Sequence, residues 1–180
     1  MRIGFAILLD DESHNFARQV ELELCEKFGL CWGLRQSPHI TIKTPFDTPD
    51  LRPIVNYLEE LSTEISPFSI ELEGFNSFEP KVLFIDVKDN PALQNLHLRI
   101  LKDLQEKFQI TPSQFEGPNM KFHSSIALED TTEDKFQEAQ AYLSQKKPYF
   151  KFKADTIGIF YHLGDAGWAI IRRINLNQTT

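Results

Sequence analysis

The sequence contains no run approaching 18 apolar residues, so no membrane span is expected. The apolar N-terminal stretch, residues 3–9, lacks a small-residue cleavage site and runs into Asp10-Asp11-Glu12. It reads as a first strand rather than a signal peptide, and a cytoplasmic location follows as the expectation. Cysteine is scarce. Cys25 and Cys31 are too few for a disulfide framework or a four-ligand zinc site, and both are expected as small buried or half-buried thiols. Positive charge is also short: 19 Lys and Arg against 26 Asp and Glu leave a net charge of −7. That balance gives no general pull on long nucleic acid. A Walker-type glycine loop, a Gly-x-Ser-x-Gly elbow and the His-x-His or His-Glu-x-x-His spacings are all missing. P-loop chemistry, elbow-type serine hydrolysis and zinc hydrolysis therefore drop out, and neither a metal nor a cofactor is expected. No heptad run is present, so a monomer is expected.

What is present is an ordinary globular composition. With 180 residues, 41% of them hydrophobic, the chain has enough apolar material for one real core. Its patterning carries an internal echo. Residues 3–9 read as a strand. Ser13 can cap a helix whose apolar positions Phe16, Val20, Leu24 and Phe28 step by four, with Gly29 closing it. Residues 37–43 alternate as a strand, residues 50–63 form a helix, and residues 68–72 alternate again. The second half repeats the order. Residues 81–87 are a strand, Asn90 and Pro91 open a helix, and residues 121–126 are a strand. A polar helix follows over about 132–145, then strands at 150–154, 157–161 and 167–171. Strand, helix, histidine strand, helix, strand thus occurs twice, with the breakpoint near residue 78. The expectation is an α+β fold built from two pseudo-symmetric halves, about 1–78 and 79–180, facing each other across a cleft.

Chemistry concentrates in the two histidine strands. His39-Ile40-Thr41-Ile42 and His123-Ser124-Ser125-Ile126 share the form His-x-Thr/Ser-apolar, 84 residues apart. Chance alone gives two such matches among five histidines at about 2%. In a strand, residues two apart project to one face. His39 and Thr41 therefore point together, as do His123 and Ser125, while the isoleucines point to the core. Two imidazoles and two hydroxyls across a cleft suit a phosphodiester. Imidazole serves as acid or base near neutral pH, and hydroxyls donate to phosphate oxygens. By the same alternation, Lys43 and Lys121 are expected on the cleft face, where they would attract phosphate.

On these residues the chain resembles the two-histidine phosphoesterase superfamily, and within it the 2'-5' RNA ligase-like and cyclic phosphodiesterase branch. The resemblance implies a bilobal α+β fold with antiparallel-rich sheets around a central cleft and helices outside. It implies metal-independent chemistry on 2',3'-cyclic phosphates or 2'-5' linkages of RNA or nucleotides. It assigns the catalytic positions to His39, Thr41, His123 and Ser125. The motifs leave hydrolysis and ligation open, and leave open which histidine is the base. The acidic stretch Glu129-Asp130 after the second motif, with the net charge, favours a small nucleotide or a short RNA end. The alternatives are a binding module of the same fold without turnover, or an unrelated interaction domain with coincidental motifs.

The remaining candidates are weighed against plain packing. Aromatic faces stack nucleobases, which makes Phe46 and Tyr161 candidate substrate contacts, with Phe78 at a matching place. His97 reads as a packed or partly exposed helical histidine and His14 as a solvated one. His162, near a strand end, is a weaker candidate for the cleft.

Overall fold

Alternating apolar residues and well-capped amphipathic stretches produce the following order in the computed structural model, which describes residues 1–177: β1 (Arg2–Leu8), α1 (Asp11–Phe28), β2 (His39–Asp47), α2 (Arg52–Glu64), β3 (Phe68–Phe78), β4 (Val82–Val87), α3 (Pro91–Phe108), β5 (His123–Ala127), α4 (Glu133–Leu143), β6 (Tyr149–Ala154), β7 (Thr156–His162) and β8 (Trp168–Asn175). The cap of α1 is Asp10, whose carboxylate accepts from the Ser13 N–H at 3.0 Å; Ser13 itself lies inside the first turn. Gly29 closes α1 in the left-handed conformation that glycine adopts without penalty. Asn90 caps α3 in the same way, accepting from Leu93 N–H, with Pro91 at the first helical position.

The strands form two antiparallel sheets in the orders β2-β1-β7-β8 and β5-β4-β3-β6. Neither sheet belongs to one sequence half. The third strand of the first half, β3, leaves its own half and pairs with β4, while β7 of the second half pairs with β1. The expected boundary near residue 78 therefore does not divide the sheets. The two histidine strands, β2 and β5, occupy one edge of each sheet and pack against each other. The helices follow the same exchange, α1 packing on β5 and α3 on β2.

One continuous core sits between sheets and helices. Ile3, Phe5 and Ile7 of β1, Ile40 and Ile42 of β2, Ile85 of β4 and Ile126 of β5 are all closed to solvent. Each such side chain stabilises the fold by about 1.5–3 kcal/mol on burial. The residues between them, Gly4, Ala6 and Leu8 on β1 and Phe84 and Asp86 on β4, face the other way. No helix among the described residues is long and apolar enough to cross a membrane.

The cysteines depart from expectation. Cys25 and Cys31 form a disulfide across the turn that leaves α1. Gly29 reverses the chain there, which brings the two residues within bonding distance; the sequence spacing alone does not report that reversal. The following 3₁₀ turn, Trp32–Arg35, is tied to the end of β5 by Asp130, whose Oδ2 accepts from Cys31 N–H at 2.6 Å and Trp32 N–H at 2.9 Å. Gly33 makes this approach possible, since a Cβ there would stand 2.6 Å from the Ile126 carbonyl oxygen.

Candidate active site

The edge positions of β2 and β5 bring three of the four motif residues to the lining of a cleft of about 320 Å³, and His123 is not among the lining residues. His39, Thr41 and Ser125 line it, with Gly4 and Ala6 of β1 as a floor of small residues. Ala6 is the cross-strand partner of Thr41, so its small side chain leaves room beside the hydroxyl. His123 stands two residues before Ser125 on the same face of β5.

The two imidazoles are held alike. Nδ1 of His39 lies 2.7 Å from the Ser37 carbonyl oxygen, and Nδ1 of His123 lies 2.8 Å from that of Lys121. A carbonyl only accepts, so each Nδ1 carries the proton and donates it. Each neutral ring is thereby fixed with its Nε2 lone pair directed away from its own strand entry. Aromatic rings clamp both: Phe160 lies 4.3 Å from His39, while Phe84 and Phe78 lie 4.8 and 5.0 Å from His123. Burial pushes His39 down to about 4, against an upward pull from the Ser37 carbonyl, with a further downward push from His123. Burial also lowers His123, while the Lys121 carbonyl and the Asp86 carboxylate pull it back up and the Lys121 ammonium opposes them.

Of the four expected substrate contacts, Lys43 lines the cleft and Lys121 adjoins His123, but both ammonium groups are engaged by carboxylates, and Phe46 and Tyr161 pack with the core. The Lys43 side chain is buried, its Nζ 2.8 and 3.1 Å from the two carboxylate oxygens of Glu116. The cause is a register shift in the β1–β2 ladder: Thr41 faces Ala6 but Lys43 faces Phe5, so Ile42 is the extra residue and strict alternation fails after Thr41. Lys121 directs its ammonium to Asp86 Oδ1 at 2.5 Å and serves the site through its carbonyl. Phe46 is a core residue, edge-to-face on Phe5 at 5.4 Å. Tyr161 packs against the core, on the opposite face of β7 from Phe160.

Other histidines follow or refine the reading. His97 is fully buried and satisfied: Nδ1 donates to the Ile42 carbonyl at 2.8 Å and Nε2 accepts from Gly117 N–H at 3.0 Å. His14 meets the Ser37 hydroxyl at 3.1 Å rather than standing free in solvent. His162 stacks on Trp168, and it is Trp168 that reaches the cleft. Phe160, Trp168 and Gln36 are site residues that sequence reasoning missed. The register of β7 on β1 and of β8 on β7 decides the facing of Phe160 and Trp168, and no local pattern reports it. Among the described residues, no cluster of three or more His, Cys, Asp or Glu side chains is arranged to hold a metal ion.

Comparison with known proteins bears on the family and the fold. A Bacillus pumilus protein named "Putative phosphoesterase" is 26% identical over 145 residues, covering 78% of this chain and 80% of its own. A similarly named Geobacillus protein is 24% identical over 178 residues, covering 94% and 93%. Among solved structures, TT0787 of Thermus thermophilus superposes over the whole of both chains with a TM-score of 0.64 at 14% identity. E. coli LigT complexed with ATP superposes over 98% of each chain with a TM-score of 0.60 at 15% identity. Likeness at such identities establishes a shared fold. The family model described as the 2'-5' RNA ligase superfamily matches residues 9–166, and with both histidine strands inside that span, the chain belongs to the 2'-5' RNA ligase superfamily.

Proposed function

We propose that this phosphoesterase-family chain is a phosphodiesterase acting on 2',3'-cyclic phosphates or 2'-5' linkages of nucleotides or short RNA ends, with His39 and His123 as its acid–base pair. The observation that carries the reading is the matched restraint of the two rings. Each donates Nδ1–H to the carbonyl two residues before it, and among the described residues neither Nε2 makes a hydrogen bond. A core histidine satisfies both nitrogens, as His97 does. Support for a nucleotide-sized ligand comes from E. coli LigT, whose structures include complexes with ATP, NADP+ and 3'-AMP.

The environments divide the labour. His39, pushed down to about 4 and packed on Phe160, is neutral at working pH and is the general base. His123, with Asp86 beside it, is the general acid. In the hydrolytic direction, His39 Nε2 takes a proton from water as the water oxygen bonds to phosphorus. The bond from phosphorus to one ribose oxygen breaks, and His123 Nε2 gives that oxygen its proton. His39 ends protonated and His123 neutral, and solvent exchange restores both. Thr41 and Ser125 donate to the non-bridging oxygens, where charge builds in the transition state. The buried Lys43–Glu116 pair contributes no free charge, which leaves Arg2, also lining the cleft, and the two hydroxyls to meet the phosphate. That suits a single phosphodiester better than a long polyanion.

The test is turnover of 2',3'-cyclic nucleotides and a 2'-5'-linked oligonucleotide by the full chain in EDTA, beside His39→Ala and His123→Ala. Hydrolysis by the wild type that both variants lose is the expected result. Binding without turnover identifies a binding module, and neither binding nor turnover removes the reading.

A further inference from the structure

The two halves of the site share their backbone restraints and differ at one cross-strand position. Leu8 on β1 stands directly opposite His39, and Asp86 on β4 stands directly opposite His123. Opposed residues of an antiparallel pair project to the same face. One imidazole therefore has a carboxylate as its ladder partner and the other has a hydrocarbon. Asp86 is ion-paired through Oδ1 with Lys121 Nζ at 2.5 Å, and its Oδ2 accepts from Asn76 Nδ2 at 3.3 Å.

The rest of the surroundings do not undo this difference. From β3 and β4, the uncharged rings of Phe78 and Phe84 pack on His123. From its own segment comes the Lys121 ammonium, and from β2 the His39 ring. Around the cleft, Lys43 is neutralised by Glu116, Arg2 lies 3.8 Å from Asp47, and Glu129 follows β5.

We propose that Asp86 is a positioning residue that makes His123, rather than His39, the imidazole that keeps its proton, and so sets the direction in which the proton crosses the phosphate. The inference rests on the acid–base reading above. A carboxylate beside an imidazolium stabilises the charged form, whereas Leu8 and Phe160 offer His39 no counter-charge. Lys121 tempers the effect by sharing the Asp86 carboxylate, and it fixes where that carboxylate points.

Two opposed substitutions test this: Asp86→Asn removes the anion with little change of shape, and Lys121→Gln removes the competing cation. The primary readout is an NMR titration of the imidazole resonances, with the pH profile of 2',3'-cyclic nucleotide hydrolysis beside it. Asp86→Asn is expected to move the His123 midpoint to lower pH, to leave His39 the less affected ring, and to cut kcat at the alkaline end by about tenfold. Lys121→Gln is expected to move the His123 midpoint the other way. A His123 midpoint unmoved by Asp86→Asn, or shifts of the same sign in both variants, overturns the proposal. Should Asp86→Asn fail to fold, the sign of the Lys121→Gln shift decides. Absence of turnover in the wild type strikes the proposed function instead, and the titrations still report whether Asp86 governs His123.

Discussion

Lys43 Nζ lies 2.8 Å from Glu116 Oε2, with both side chains closed to solvent, directly beyond the motif residue Thr41. Burial raises the Glu116 carboxyl, but Lys43 and the N–H groups of Ser113 and Thr44 outweigh it and hold the group below the usual carboxylate range. Removing one partner leaves a buried charge uncompensated. Lys43→Met is expected to destabilise the fold by about 3–5 kcal/mol in urea unfolding. Adding Glu116→Gln should recover part of that loss, because the uncompensated charge is gone while the single amide oxygen still accepts from one of the Thr44 and Ser113 N–H groups. Equal stability of the two variants would contradict the charge argument.

Stability should also fall in acid through the site itself. Folding lowers His39 from its ordinary 6.5 to about 4, so the folded chain binds that proton less readily than the unfolded chain. The stabilisation from neutral His39 is complete above 6.5 and disappears as pH falls through about 4. His123, lowered as well, acts in the same sense. Unfolding free energies measured from pH 7 to pH 4 should drop less steeply in His39→Asn than in the wild type.

Activity should trace a bell displaced to the acid side. The limb of kcat/KM that rises with pH follows His39 near 4, and the falling limb follows His123 below its ordinary 6.5. A bound phosphodiester anion favours both imidazolium forms, so the kcat profile should lie at higher pH than that of kcat/KM. Rates independent of pH across this window would exclude the pair.

The hydroxyls should matter to the chemical step more than to binding. Thr41→Val and Ser125→Ala each remove a donor to the developing oxyanion, and each is expected to lower kcat by about 10²-fold with a smaller change in KM. Thr41→Ser should keep most of the activity. A loss confined to KM would assign the hydroxyls to binding alone.

The periodicities alone determined the element order, the two histidine strands and the pairing of each imidazole with a hydroxyl. A strand's two-residue repeat is a local property, and His39, Thr41, His123 and Ser125 obey it. Only tertiary structure decided the rest, because each remaining feature depends on what lies across a ladder or beneath a sheet. The register shift at Ile42 turned Lys43 inward onto a glutamate 73 residues away. The exchange of β3 and β7 between halves put Phe160 beside His39, and the pairing of β4 with β5 set Asp86 against His123. Cys25 and Cys31 met because Gly29 reverses the chain between them. Cross-strand register is fixed by the fit of whole hydrophobic faces, and no stretch of neighbouring residues encodes it.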